Sequence, residues 1–153
     1  MTRFLALDVG ERRIGVAMAD TASGSVKGLT TIRRAHDSRD SETLVTLARE
    51  HGAHELVLGL PLNADGSEGP QARATRTWAE AIERLTSLPV SWRDERHTSE
   101  RAERVAGRMA RRSDGGPPSA KTRNAHRARV DQLAAEAIAQ AELDARRDAE
   151  HSR

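Results

Sequence analysis

Phe4-Leu-Ala-Leu-Asp8-Val-Gly10 is a short apolar run that carries one carboxylate to its end, and a glycine follows two residues later. The adjoining Glu11-Arg-Arg-Ile-Gly15-Val-Ala-Met-Ala-Asp20 reads as a second strand, so Asp8 and Gly10 fall at the turn between two paired strands. A glycine there lets the backbone approach a phosphate closely, and a carboxylate there can hold a metal ion. Opening a turn is the commoner use of such an Asp. The stretch alone therefore decides the fold better than the chemistry.

Outward from it, Val26 to Arg33 reads as a third strand, and the separations at Gly10 and at Thr21-Ala-Ser-Gly24 are hairpin-sized. Ser41 to His51 sets Leu44, Leu47 and Ala48 at helical spacing, and Glu55-Leu-Val-Leu-Gly59 is a short apolar strand ending at a glycine. A second helix is expected over Pro70 to Leu85, with Ala74, Trp78, Ala81, Ile82 and Leu85 on one face and Pro70 suited to the first turn. Leu88 to Trp92 returns as a strand, and Thr98 is placed to cap a third helix running to about Met109. Ala110 to Thr122 contains Gly115-Gly-Pro-Pro118 and reads as a flexible basic loop. The last element, Asn124 to about Arg146, is a long helix whose Val130, Leu133, Ala134, Ala137, Ile138 and Ala141 form the stripe expected to be buried, followed by a frayed tail over about 147–153. Three hairpin strands, αβ alternation and a covering helix predict a single α/β domain over 1–153, with a mixed sheet flanked by helices.

A chain of 153 residues can bury a real core but is too short for two full domains with a cleft between them. It has no cysteine, which excludes disulfides and thiolate metal sites. No apolar run approaches the roughly 20 residues needed to cross a bilayer, and the first residues do not resemble an export signal. A cytoplasmic protein without a membrane partner is expected. The net charge of +2 hides a local excess, because Arg108 to Arg129 holds seven bases against the single acid Asp114. Such a segment suits a polyanion, since each neutralised phosphate releases counterions; a solvated arginine-rich loop is the plainer reading.

Two further acidic positions stand where a sheet-centred site would want them. In Trp92-Arg93-Asp94-Glu95-Arg96 two acids follow a strand, and Asp131 borders the apolar stripe of the last helix, sharing a face with positions 135 and 138. Hard oxygen ligands from separate elements suit Mg²⁺ or Mn²⁺. Surface ion pairing and solvation are the plainer uses of the same residues. The loop Gly59 to Gln71 is rich in glycine and leads into a helix at Pro70, so its amides could receive a phosphate, or it could be an ordinary connection. Arg73 and Arg76 lie on one helix face and could extend a positive rim. His51 and His54 are separated by the helix breaker Gly52, which makes a zinc site unfavourable. With only Phe4, Trp78 and Trp92 as aromatics, base stacking has little to work with, and backbone and shape recognition are expected instead.

Taken together, Leu5-Ala-Leu-Asp8-Val-Gly10-Glu-Arg-Arg-Ile-Gly15-Val-Ala, Leu58-Gly-Leu-Pro-Leu-Asn63-Ala-Asp-Gly-Ser-Glu-Gly-Pro-Gln71, Asp94-Glu95-Arg96 and Val130-Asp131-Gln-Leu-Ala-Ala135 resemble the YqgF family, also called RuvX. That family is similar to the RuvC resolvases and has the ribonuclease H-like fold. The resemblance implies a metal-dependent endonuclease whose Asp8, Glu95 and Asp131 are the catalytic, Mg²⁺- or Mn²⁺-binding acids. It implies either 5′-end processing of the small-subunit ribosomal RNA precursor or resolution of four-way DNA junctions. Expected nucleic-acid contacts are Gly10, Arg12, Asn63, Gly66, Arg96, Thr98, Arg111, Arg112, Lys121, Arg123 and Arg129. The partner is then structured RNA or branched DNA, and the protein a monomer or a homodimer, the latter suiting paired cuts in a junction.

Two departures from the family pattern stand out. His97 replaces an aliphatic residue after Asp94-Glu95-Arg96, where it could move protons or simply half-bury at a helix start. Gly115-Gly-Pro-Pro118 interrupts the basic loop. Two other functions fit parts of the sequence. A non-catalytic adaptor in ribosome assembly or transcription would use the basic segment alone. A nucleotide-binding regulatory module would use Asp8-Val-Gly10 as sugar kinases and actin-like ATPases do, but those need two related domains and this chain has room for one.

Overall fold

The computed structural model describes residues 2–96, 104–109 and 111–153. Strands β1 (Arg3–Val9), β2 (Arg13–Asp20) and β3 (Ser25–Arg33) form an antiparallel meander, and β4 (Glu55–Leu60) and β5 (Val90–Asp94) add to the free edge of β1 in parallel, giving the order β3-β2-β1-β4-β5. The parallel pairs need crossovers, supplied by helices α1 (Asp37–His51) and α2 (Pro70–Thr86). A 32-residue helix, α3 (Ala120–His151), covers the opposite face. The expected mixed five-stranded sheet is present.

Strand alternation divides the interior in two. Leu5, Leu7, Val9, Ile14, Val16, Leu56 and Leu58 point to α1 and α2, where Leu44, Trp78 and Ile82 meet them. Phe4, Ala6, Ala17, Ala19 and Val57 point to α3, against Ala135, Ile138, Ala139 and Leu143. The second face is thin because its residues are small. At Gly15 the helix comes so close that a Cβ would overlap the Asp131 carbonyl oxygen and lie 2.5 Å from its carbon.

Several boundaries differ from the sequence reading. Helix α1 starts at Asp37, four residues early, because His36 caps it by accepting from the Arg39 amide at 3.3 Å and the polar first turn carries no apolar periodicity. Strand β5 begins at Val90 and reaches Asp94, which takes Glu95 to the strand end. Of the helix expected from Thr98 to Met109, residues 97–103 lie outside the described residues; 104–106 are helical, and Gly107 leaves the helix with φ +75°. Helix α3 starts at Ala120, capped by Ser119, and continues through His151, past the point where a frayed tail was expected. Its buried face is also rotated from the expected stripe: Ala134, Ala135, Ile138, Ala139, Glu142 and Leu143 are buried, while Ala141 is exposed. Alanines are so frequent here that several stripes look apolar, and the true one carries a glutamate inward. Glu142 accepts from Arg146 at 2.9 Å, and its other oxygen lies 2.6 Å from Arg93 Nε in an ion pair; Arg146 also bonds Glu55 and covers the Phe4 ring.

Candidate active site

The same alternation that thins the α3 face delivers the acids to it. Asp8 is the last residue of β1 to point toward α3, and it is paired across the sheet with Gly15 of β2. Asp131 rides on α3 directly above Gly15. Glu95 follows β5, its amide bonded to the Leu60 carbonyl at 3.2 Å, and its side chain lies over Gly59, where a Cβ would overlap Oε2. Gly59 thus leaves room for the Glu95 carboxylate, and Gly15 for the α3 backbone that carries Asp131.

The convergence changes their protonation. Burial pushes Glu95 up to about 9, helped by the Asp8 charge, the hydrogen bond with Asp8 and the Asp94 charge. Burial likewise raises Asp8 to about 6, opposed by the hydrogen bond from Glu95; the Asp131 charge raises it further and the Arg13 charge lowers it. At neutral pH one proton is therefore held between Asp8 and Glu95, because two unscreened carboxylates cannot both ionise there. Asp131 is held differently, with Oδ2 accepting from Arg13 Nε at 2.7 Å. As they stand, no three acids or histidines among the described residues form a group that holds a metal ion.

The donor set nevertheless fits a hard divalent cation. It consists of carboxylate oxygens from three elements, crowded enough to force a proton onto them, beside a glycine that leaves room. Such an ion would be held by Asp8, Glu95 and Asp131.

The other expected residues fall into two groups. Those around the acids are largely occupied within the protein. Gly10 closes the β1–β2 turn by donating to the Arg13 carbonyl at 2.8 Å, and its own carbonyl accepts from Arg34 Nη1 at 2.7 Å. The Asn63 amide donates to Ser67 Oγ at 2.9 Å, and Arg96 binds Asp94 at 2.7 Å and the Ala64 carbonyl at 3.3 Å, beside Gly66 with φ +86°. These three brace the loop after β4 rather than offer free donors. Arg76 and Arg73, which could extend a positive rim or simply be solvated, are engaged within the protein: Arg76 pairs with Glu68 and stacks on Trp92, and Arg73 donates to the Glu68 carbonyl. Arg12 is exposed at the hairpin turn, while His97 and Thr98 lie outside the described residues.

The basic residues line a run of clefts. Arg111 flanks one with Arg108, Met109 and Pro117; Lys121 and Arg129 line the next with Arg108, Met109 and His126; and a third, shared with Met109 and His126, reaches Arg13 and Asp131. The loop is less open than its composition suggests: Arg112 pairs with Asp114 at 3.6 Å, and Arg123 donates to the Pro118 carbonyl at 2.6 Å. Arg13 is the site residue that sequence reasoning missed. Its signal was the two-residue spacing to Gly15, which sets both on the α3 face.

A family model described as "RuvX: Holliday junction resolvase" matches residues 2–145. The chain belongs to the RuvX family. A Moorella thermoacetica protein named "Putative pre-16S rRNA nuclease" is 42% identical over 142 residues, covering 93% of this chain and 94% of that one. A Myxococcus xanthus protein of the same name is 38% identical over 145 residues, covering 95% and 89%. Among solved structures, Thermus thermophilus RuvC bound to a Holliday junction aligns with TM-score 0.52 at 10% identity, covering 95% of this chain and 96% of that chain. The fowlpox virus Holliday junction resolvase aligns with TM-score 0.50 at 10% identity, covering 94% and 99%. These likenesses establish for the RuvX chain the RuvC-like, ribonuclease H-like fold.

Proposed function

We propose that this RuvX protein is an endonuclease that hydrolyses phosphodiester bonds in structured RNA or branched DNA, with Asp8, Glu95 and Asp131 holding Mg²⁺ or Mn²⁺. The observation that carries the reading is the carboxyl pair of Asp8 and Glu95, which shares a hydrogen bond, with the Asp131 charge beside it. The cleft that reaches Asp131 is lined by Arg13 and Arg127, and the neighbouring cleft, which shares Met109 and His126 with it, by Arg108, Lys121 and Arg129. A bound divalent cation supplies an activated water and neutralises charge developing on the phosphate oxygens. The chain's own contribution is to bring the three acids together at glycine-cleared positions, to exclude water behind them with the alanine-lined face, and to track the backbone with arginines rather than stack bases. His97, two residues after Glu95 in the sequence, keeps a proposed part in proton transfer.

The leading substrate is the precursor of 16S ribosomal RNA, because relatives near 40% identity carry a pre-16S rRNA nuclease name; the family resemblance implies its 5′ end. The family description makes the four-way junction its rival. A cytoplasmic location accompanies the RNA reading. Labelled precursor, four-way junction and plain duplex are incubated with Mn²⁺, Mg²⁺ or chelator, beside Asp8→Asn. Cleavage of the precursor that is lost with chelator and falls about a thousandfold or more in Asp8→Asn is the expected result. Cleavage surviving both would end the metal reading, and binding without cleavage of any substrate would favour the adaptor. Neutralising Arg111, Arg112, Lys121 and Arg123 together should weaken binding across sequences and flatten its salt dependence by up to about four phosphates' worth.

A further inference from the structure

Most cations around the acids are committed to partners outside the trio: Arg96 to Asp94 and Ala64, Arg93 to Glu142, Arg34 to the Gly10 carbonyl. Arg13 is bound to one of the three acids themselves. It leaves β2 on the face that Gly15 keeps clear, its Nε donates to Asp131 Oδ2 at 2.7 Å, and the two side chains are 36% and 18% exposed. Both also line the cleft that reaches the acids, together with Met109, His126 and Arg127. A guanidinium presents five donors in a planar fork that matches a phosphate as well as a carboxylate. One edge of Arg13 rests on Asp131 while the cleft that would carry a nucleic-acid backbone opens beside it.

We infer that Arg13 is a phosphate-binding residue held in reserve by Asp131: it neutralises that carboxylate until a divalent cation takes it, and the released guanidinium then receives a phosphodiester in the cleft. This rests on the reading of Asp131 as a metal ligand. Cation and arginine compete for one carboxylate, so each event that removes a competitor favours the other. A phosphodiester drawing Arg13 away strengthens cation binding by the same factor that the cation strengthens phosphate binding. The site then binds cation more tightly with substrate present, and Asp131 does not stand as an uncompensated anion when empty.

The test reads Arg13 directly, in the full chain, by the ¹H–¹⁵N signal of its Nε, assigned by its loss in Arg13→Gln. Without metal the signal is protected from exchange by the Asp131 hydrogen bond; Mg²⁺ titration should remove that protection, and dimethyl phosphate should then shift the signal only once Mg²⁺ is bound. Calorimetry should show Arg13→Gln binding Mg²⁺ about fivefold more tightly, the upper range for a partly exposed ion pair, with Arg13→Lys between it and the parent. If Asp131→Asn weakens Mg²⁺ binding yet the Nε signal stays put through Mg²⁺ saturation, the inference fails while the metal site stands. A dimethyl phosphate shift that is equal with and without Mg²⁺ overturns it in the same way. If Asp131→Asn binds Mg²⁺ like the parent, the ligand reading and the inference fall together.

Discussion

The two faces of the sheet solve different problems with the same strands. Toward α1 and α2 the strands present leucine, isoleucine and valine, closed by Trp78 and Ile82, with Leu5, Leu7, Ile14, Leu56 and Leu58 fully buried. Toward α3 they present mostly alanine and glycine beside Phe4 and Val57, and much of the remaining space is filled by charged side chains: Asp8, Arg13, Arg93, Glu95 and, from the helix, Asp131, Glu142 and Arg146. Large apolar groups yield the greater burial energy. Small ones let a helix backbone approach until side chains from four elements meet. Stability is concentrated on one side, and chemistry occupies the side that gives up bulk.

That contrast can be broken most severely at Gly15. Gly15→Ala forces a methyl into the α3 backbone, which cannot rotate aside as a side chain can, and should cost about 4 kcal/mol, above ordinary overpacking; denaturant unfolding measures it, and a loss below about 1 kcal/mol would show that α3 is not held as closely as described. Leu58→Ala, on the other face, should cost about 3 kcal/mol yet leave Mg²⁺ affinity unchanged in the folded protein. An altered Mg²⁺ affinity would erase the proposed division of labour. Glu142→Gln leaves Arg93 without its carboxylate and Arg146 with Glu55 alone on the thin face and should cost about 2 kcal/mol, an effect that shrinks when Arg93 is removed as well.

The smallest effect has the opposite sign. Asp8 and Glu95 have folded-state values raised above the usual carboxylate range, to about 6 and about 9, so they contribute most stability at acid pH and lose it as pH rises through those values. The metal-free protein should therefore melt progressively lower between pH 5 and 9, and Glu95→Gln should flatten that decline and raise the melting temperature at pH 8 by about 2 °C. Added Mg²⁺ should reverse the trend in the parent and do less in the variant. A melting profile that climbs with pH in chelator would show that the acids are not crowded as described.

Much of this was legible in the order of the elements. Periodicity placed β1, β2, β4 and the main helices, because alternation and the i, i+3, i+4 pattern survive wherever large apolar residues mark one face. It was only partly right on α3, where Ala134 and Ile138 are buried as expected but alanine is nearly neutral as a marker and the decisive inward residue, Glu142, is charged; its burial depends on Arg93 and Arg146, which no local pattern reveals. Asp8, Glu95 and Asp131 were found from strand ends and motif order, and the structure gathers them at one end of the sheet. Asn63 and Arg96 were expected to contact nucleic acid, and sequence does not show the Ser67 hydroxyl, the Asp94 carboxylate and the Ala64 carbonyl that already engage them. Arg13 was passed over because charge beside a turn looks solvated until the helix above it is in place.

Helix α3 reaches far beyond the sheet it covers. Thirty-two residues at about 1.5 Å each make a rod of about 48 Å, while five strands at about 4.8 Å spacing span only about 19 Å. Its first turn stands about 16 Å from Asp131, and Lys121, Arg123, Arg127 and Arg129 are distributed along that interval. The helix therefore acts as a ruler, fixing both how far and in which direction its positive charges sit from the acids. Inserting one residue between Arg129 and Asp131 would rotate the whole graduated segment by about 100°, leaving charge, composition and acids intact while pointing the scale away from the work.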